Sequence, residues 1–76
     1  MFSQAKIIIE QVSKEFDVPV KKITGKGRSK TVLEARKHAI QRCRVFTELS
    51  LCELGIIFGK RDHSTIMRYL NPQDIH

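Results

Sequence analysis

A small all-α domain closed by a helix-turn-helix is the fold class this sequence predicts, and three observations predict it. Apolar residues recur at intervals of three and four, Ser50-Leu51-Cys52-Glu53 has the form of a capping box, and Gly59 separates two short apolar-striped runs. No strand-like alternation, internal repeat or low-complexity segment interrupts this pattern.

Each element has its own signal. Residues 3–16, SQAKIIIEQVSKEF, place Ala5, Ile8, Ile9, Val12 and Phe16 on one helical face, with Ser3 able to cap the start. Pro19 interrupts this helix by pushing Val18 out of the helical region, so DVPVKKI reads as a turn into at most one short helical turn. Residues 24–30, TGKGRSK, combine two glycines, two hydroxyls and three cations, and read as an exposed, mobile basic loop. Helical spacing returns over about residues 31–47, where Val32, Ala35, Ala39, Cys43 and Phe46 share a face opposite Lys37, Gln41, Arg44 and Glu48. This longest helix should be the spine.

The capping box then opens a helix over about 51–58 that turns Leu51, Leu54 and Phe58 inward, and Gly59 stops it in the left-handed conformation that glycine adopts most easily. The last helix starts at Asp62 or His63, runs through Ile66 and Met67 to Leu70, and ends at Asn71-Pro72. Two short helices around a tight glycine turn make a helix-turn-helix.

Seventy-six residues, 41% hydrophobic and 29% charged, suit a single folded domain over 1–76, taken as a monomer, with little room for a large active-site cleft. A net charge of +6 and a pI near 9.8 favour a polyanionic partner. The charge is concentrated between Lys21 and Arg44, a stretch whose sole acid is Glu34, whereas the first twenty residues are nearly balanced. Cys43 and Cys52 lie far from any Cys-x-x-Cys spacing and read as reduced thiols of a cytoplasmic protein. No secretory leader is recognisable, and no apolar run approaches the ~18 residues of a membrane span.

Two constellations imitate chemistry. Asp62-His63-Ser64 holds the residue types of a hydrolytic triad, but consecutive residues at a helix start splay about 100° apart and cannot relay a proton in line. Asp62 reads better as the N-cap of the last helix, with Ser64 and Thr65 in its first turn. GKGRSKT fails as a phosphate-binding loop because Lys30-Thr31 follows Ser29 rather than glycine. His38 and His76 read as bystanders, and no spacing implies a metal or cofactor.

The stretch SLCELGIIFGKRDHSTIMRYL, Ser50 to Leu70, resembles the final helix-turn-helix of the bacterial replication-initiator family DnaA, whose pattern is close to S-L-P-E-I-G-x-x-F-G-G-R-D-H-T-T-V-x-x-A. GRSKTVLEARKHAIQRCRVFTELSL is similar to that family's basic loop and long helix, and IIIEQVSKEFDVPVKKI to its opening helix, so the resemblance covers nearly the whole chain. It implies a Trp repressor-like fold corresponding to the family's C-terminal DNA-binding domain, domain IV, on an A/T-rich box in double-stranded DNA. By the same resemblance Asp62, His63, Ser64 and Thr65 would enter the major groove and Arg28 the minor groove. Lys26, Lys30, Arg36, Lys60, Arg61 and the helix start at Leu51 would hold phosphates.

The departures carry expectations of their own. Ser64 stands where the family has threonine, which removes a methyl able to pack on thymine and should relax or change the preferred box. Lys60 replaces glycine and Lys37 replaces glutamine, which adds sequence-independent affinity, and Cys52 replaces proline. Gln41-Arg42 replaces an apolar pair and should expose or re-pair that surface. The chain stops soon after Leu70, where the family adds another helix, which would lower stability. The family's ATPase module is also missing, so as a complete product the chain would not initiate replication by that route.

The function expected is sequence-specific binding of duplex DNA, not catalysis, in replication initiation or its regulation, with nucleoid association and replication proteins as further partners. Three alternatives stay open: an excised initiator domain, a DNA-targeting regulator of a mobile element, and a protein-interaction module that keeps the fold.

Overall fold

Each apolar stripe finds another to cover it. The computed structural model describes residues 3–70, which form five helices and no strand: α1 (Ser3–Phe16), α2 (Val20–Ile23), α3 (Lys30–Phe46), α4 (Leu51–Ile57) and α5 (His63–Leu70). The expected stop at Asn71-Pro72 and His76 lie outside the described residues. None of the helices is long and apolar enough to cross a membrane.

Local chemistry sets the boundaries. α1 ends where Asp17 turns left-handed at φ 55°, letting the Val18 amide donate back to the Ser13 carbonyl at 3.0 Å. Pro19 then stands as the N-cap residue of α2, whose single turn needs no amide from it. α3 starts one residue earlier than the spacing predicts, because Ser29 caps it by accepting from the Val32 amide at 3.3 Å. The capping box at Ser50 forms in both directions, with Ser50 Oγ accepting from the Glu53 amide and Glu53 Oε1 from the Ser50 amide.

α3 is the spine: α1, α2, α4 and α5 all pack against it. Its inward residues Val32, Ala35, Ala39, Ile40 and Cys43 meet Ala5, Ile8, Ile9 and Val12 of α1, Ile23 of α2 and Ile66 of α5 in one core. One expectation fails here. Phe46 is 70% exposed rather than inward: α3 outruns the start of α1, since Cys43 already lies against the Ala5 carbonyl, and Leu49 closes the core at that end. The Gln41-Arg42 surface is re-paired: Arg42 grips Glu15 of α1 with two 2.8 Å hydrogen bonds, and Gln41 Nε2 donates to the Tyr69 carbonyl at 3.2 Å. His38 lies against the Phe16 ring, centroids 5.1 Å apart.

The turn between α4 and α5 has two consecutive left-handed residues, Gly59 at φ 90° and Lys60 at φ 59°. This fold-back brings the Arg61 amide onto the Gly55 carbonyl at 2.8 Å, an approach so close that a Cβ at Gly55 would collide with the Arg61 carbonyl. Leu54, Phe58 and Ile66 are fully buried beneath the turn, each contributing about 1.5–3 kcal/mol.

Candidate nucleic-acid interface

The basic loop and the helix-turn-helix meet through one buried cation. Arg36 is 2% exposed, and its guanidinium fans out onto the chain that precedes it. Nε donates to the Ile23 carbonyl at 2.8 Å, Nη2 to the carbonyls of Lys22, Gly25 and Gly27 at 2.7, 3.0 and 3.0 Å, and Nη1 to the Tyr69 hydroxyl at 3.4 Å. Arg36 was expected to hold a phosphate; in the fold its Nε and Nη2 are engaged by backbone carbonyls and its Nη1 by the Tyr69 hydroxyl, a structural engagement of the guanidinium within the chain. The loop backbone, expected to be mobile, is tied at several carbonyls while its side chains Lys26 and Arg28 stay exposed.

Arg61 is also turned inward. Half-buried, it donates through Nη1 to the Phe58 carbonyl and through Nη2 to the Gly25 carbonyl at 2.6 Å. Burial, and secondarily the neighbouring Arg36 charge, hold its basicity below the ordinary arginine value. Lys26, Arg28, Arg36 and Arg61 line one groove of about 660 Å³ with Tyr69 and Gly59, and no acid lines it. A second depression, about 510 Å³, is lined by Glu48 and Glu53 and by no cation. The first groove is thus lined by positive charge and the second by negative charge.

At the head of α5, Asp62 caps as expected: its Oδ1 accepts from the Thr65 amide and the Thr65 hydroxyl, both at 3.0 Å. Those two donors hold its carboxyl below the usual carboxylate range, and among the described residues Oδ2 has no hydrogen-bond partner. Asp62, His63 and Ser64 are exposed, and Thr65 is half-buried with its hydroxyl committed to Asp62. Lys60 is exposed on the turn and Lys30 on the first residue of α3. Leu51 opens α4 half-buried, and its amide is not among those used by the capping box. The exposed head of α5 therefore follows directly on the turn that borders the cationic groove.

Two participants escaped sequence reasoning. Tyr69 supplies an acceptor to Arg36, and Gly25 a carbonyl shared by Arg36 and Arg61. One signal was available, since Val32, Arg36, Ala39 and Cys43 follow at intervals of four, three and four, which places Arg36 on the apolar stripe. Among the described residues no group of three or more His, Cys, Asp or Glu could hold a metal ion.

Comparison with known proteins agrees with this architecture. The family model described as the bacterial DnaA protein helix-turn-helix matches residues 5–71. The chromosomal replication initiator protein DnaA of Corynebacterium jeikeium is 45% identical over 60 residues, covering 79% of this chain and 10% of that protein. Those of Clavibacter sepedonicus and Lachnoclostridium phytofermentans are 42% and 38% identical over 66 and 65 residues, covering 87% and 86% of this chain and 14% of each relative. The chain thus spans only a small part of the length of the relatives it matches. No solved structure matches it.

Proposed function

The chain belongs to the bacterial DnaA helix-turn-helix family, and on that premise we propose that it binds double-stranded DNA with sequence preference, in replication initiation or its regulation. The observation that carries this reading is the placing of the exposed head of α5 beside a groove lined by four cations and no acid. α5 enters the major groove. There Oδ2 of Asp62 accepts from a cytosine amino group, and His63, Ser64 and Thr65 meet neighbouring base edges or thymine methyls. Arg28 reaches the minor groove from the loop, while Lys26, Lys30, Lys60 and the first amides of α4 hold phosphates. An acid facing a polyanion lowers affinity, so Asp62 makes sense as a residue that selects a base. The domain works by binding rather than catalysis, as a cytoplasmic monomer on nucleoid DNA, with replication proteins as its protein partners.

Selection of bound duplexes from a random pool at physiological salt tests the proposal. Enrichment of one motif is the expected result, with a relaxed or changed preference beneath Ser64. The double variant Asp62→Ala/His63→Ala should lose that preference and keep nonspecific binding, whereas Lys30→Ala should weaken binding to every sequence and flatten the salt dependence by about 0.9 in slope. No enrichment with the native chain refutes DNA reading, and a double variant that still discriminates refutes the placing of α5.

A further inference from the structure

One carbonyl joins the two parts of the interface. Gly25 O accepts from Arg36 Nη2 at 3.0 Å and from Arg61 Nη2 at 2.6 Å, so the loop is gripped from α3 on one side and from the turn before α5 on the other. The surfaces between them are in close contact: a Cβ at Gly59 would stand 2.7 Å from the Thr24 carbonyl. Two residues beyond Gly25, the Gly27 carbonyl is again held by Arg36, and Ser29 is fixed as the cap of α3. Arg28 is the exposed residue between those two fixed points.

Taking DNA binding as proposed above, we infer that Arg36 and Arg61 are positioning residues, a clasp on the Gly25 carbonyl that sets where Arg28 stands relative to the head of α5 and so determines specificity. A planar guanidinium can serve several carbonyls at fixed angles. A lysine ammonium carries the same charge but cannot reproduce that fan. If the role is positional, charge alone will not replace it. If Arg36 instead holds a phosphate, lysine will largely serve.

The experiment is a double-mutant cycle between Arg36→Lys and Arg28→Ala. Binding is measured on the duplex most enriched from a random pool and on a scrambled duplex of the same composition, across a range of salt concentrations. Arg36→Lys should lower the preference for the enriched duplex by about tenfold, the scale of one lost base-reading contact, while leaving the salt slope unchanged. In the Arg28→Ala background most of that loss should disappear, because the loop then has no reader to misplace. A purely structural role would lower the melting temperature and weaken binding to both duplexes alike. Full preference in Arg36→Lys, or additivity with Arg28→Ala, overturns the inference while DNA binding stands. A native chain that enriches no duplex overturns the DNA-binding reading itself. Should Arg36→Lys lose its helical circular dichroism, the same cycle run with Arg61→Lys, which loosens the clasp from the half-buried side, decides the matter by the same outcomes.

Discussion

Replacing Lys60 with glycine should make the domain more stable and a weaker DNA binder at the same time. Lys60 sits at φ 59°, where a side chain costs about 1–2 kcal/mol. Glycine removes that cost but gives the unfolded chain more freedom, which takes back about 0.4–1 kcal/mol. The net gain lies between about 0 and 1.6 kcal/mol, and its midpoint of about 0.8 kcal/mol raises the melting midpoint by about 3–6 °C in a domain of this size. Against it stands the loss of one exposed cation on the turn, which should lower the slope of log affinity against log salt by about 0.9. Thermal melts by circular dichroism and binding titrations from low to moderate salt read the two effects separately. Gly59→Ala supplies the opposite control: at φ 90° and against the Thr24 carbonyl it should lower the midpoint. A midpoint for Lys60→Gly below the parent refutes the strain argument, and an unchanged salt slope refutes the phosphate contact.

Four further outcomes are expected. Asp62→Asn should keep the cap and the melting midpoint at neutral pH while changing the base preferred beneath it, whereas Asp62→Ala should lose both; melts and duplex selection separate them. Asp62 and Glu15 both have folded-state pKa values lowered, the first chiefly by the Thr65 amide and the second by Arg42, so their stabilisation is complete above the ordinary values of 3.8 and 4.5 and drains as pH falls through the lowered ones. Asp62→Asn and Glu15→Gln should therefore flatten the acid limb of a pH–stability curve. In thiol titration of the native domain Cys52 should react and Cys43 should not, since Cys43 is buried and burial pushes its thiol up to about 11; both should react in denaturant. Gly55→Ala should destabilise by about 1–3 kcal/mol in denaturant unfolding through its collision with the Arg61 carbonyl.

The helices were legible because each rests on local chemistry: the stripe of α1, the capping box of α4 and the Asp62 cap need only neighbours within four residues. Phe46 was misplaced because helical spacing gives a face but not where the partner helix ends. The inward engagement of Arg36 was missed for a different reason. A cation in a basic segment suggests a polyanion, and only the folded chain shows that four carbonyls from residues 22–27 converge on it. Its position on the stripe with Val32, Ala39 and Cys43 outweighed its charge. The left-handed Lys60 could be suspected only from the glycine that the family places there.

The cap formed by Asp62 also bears on how this domain can diverge. With Oδ1 closing α5 on an exposed residue, a mutation that seeks a new target must still leave a helix start behind. Only asparagine, serine and threonine combine capping with hydrogen-bonding ability toward a base. Under the proposed role of Asp62 in choosing a base, drift in binding preference is channelled at this position into a few residue types. Under the same reading the neighbouring Ser64, exposed and not the cap of α5, is where new targets can be explored at little structural risk.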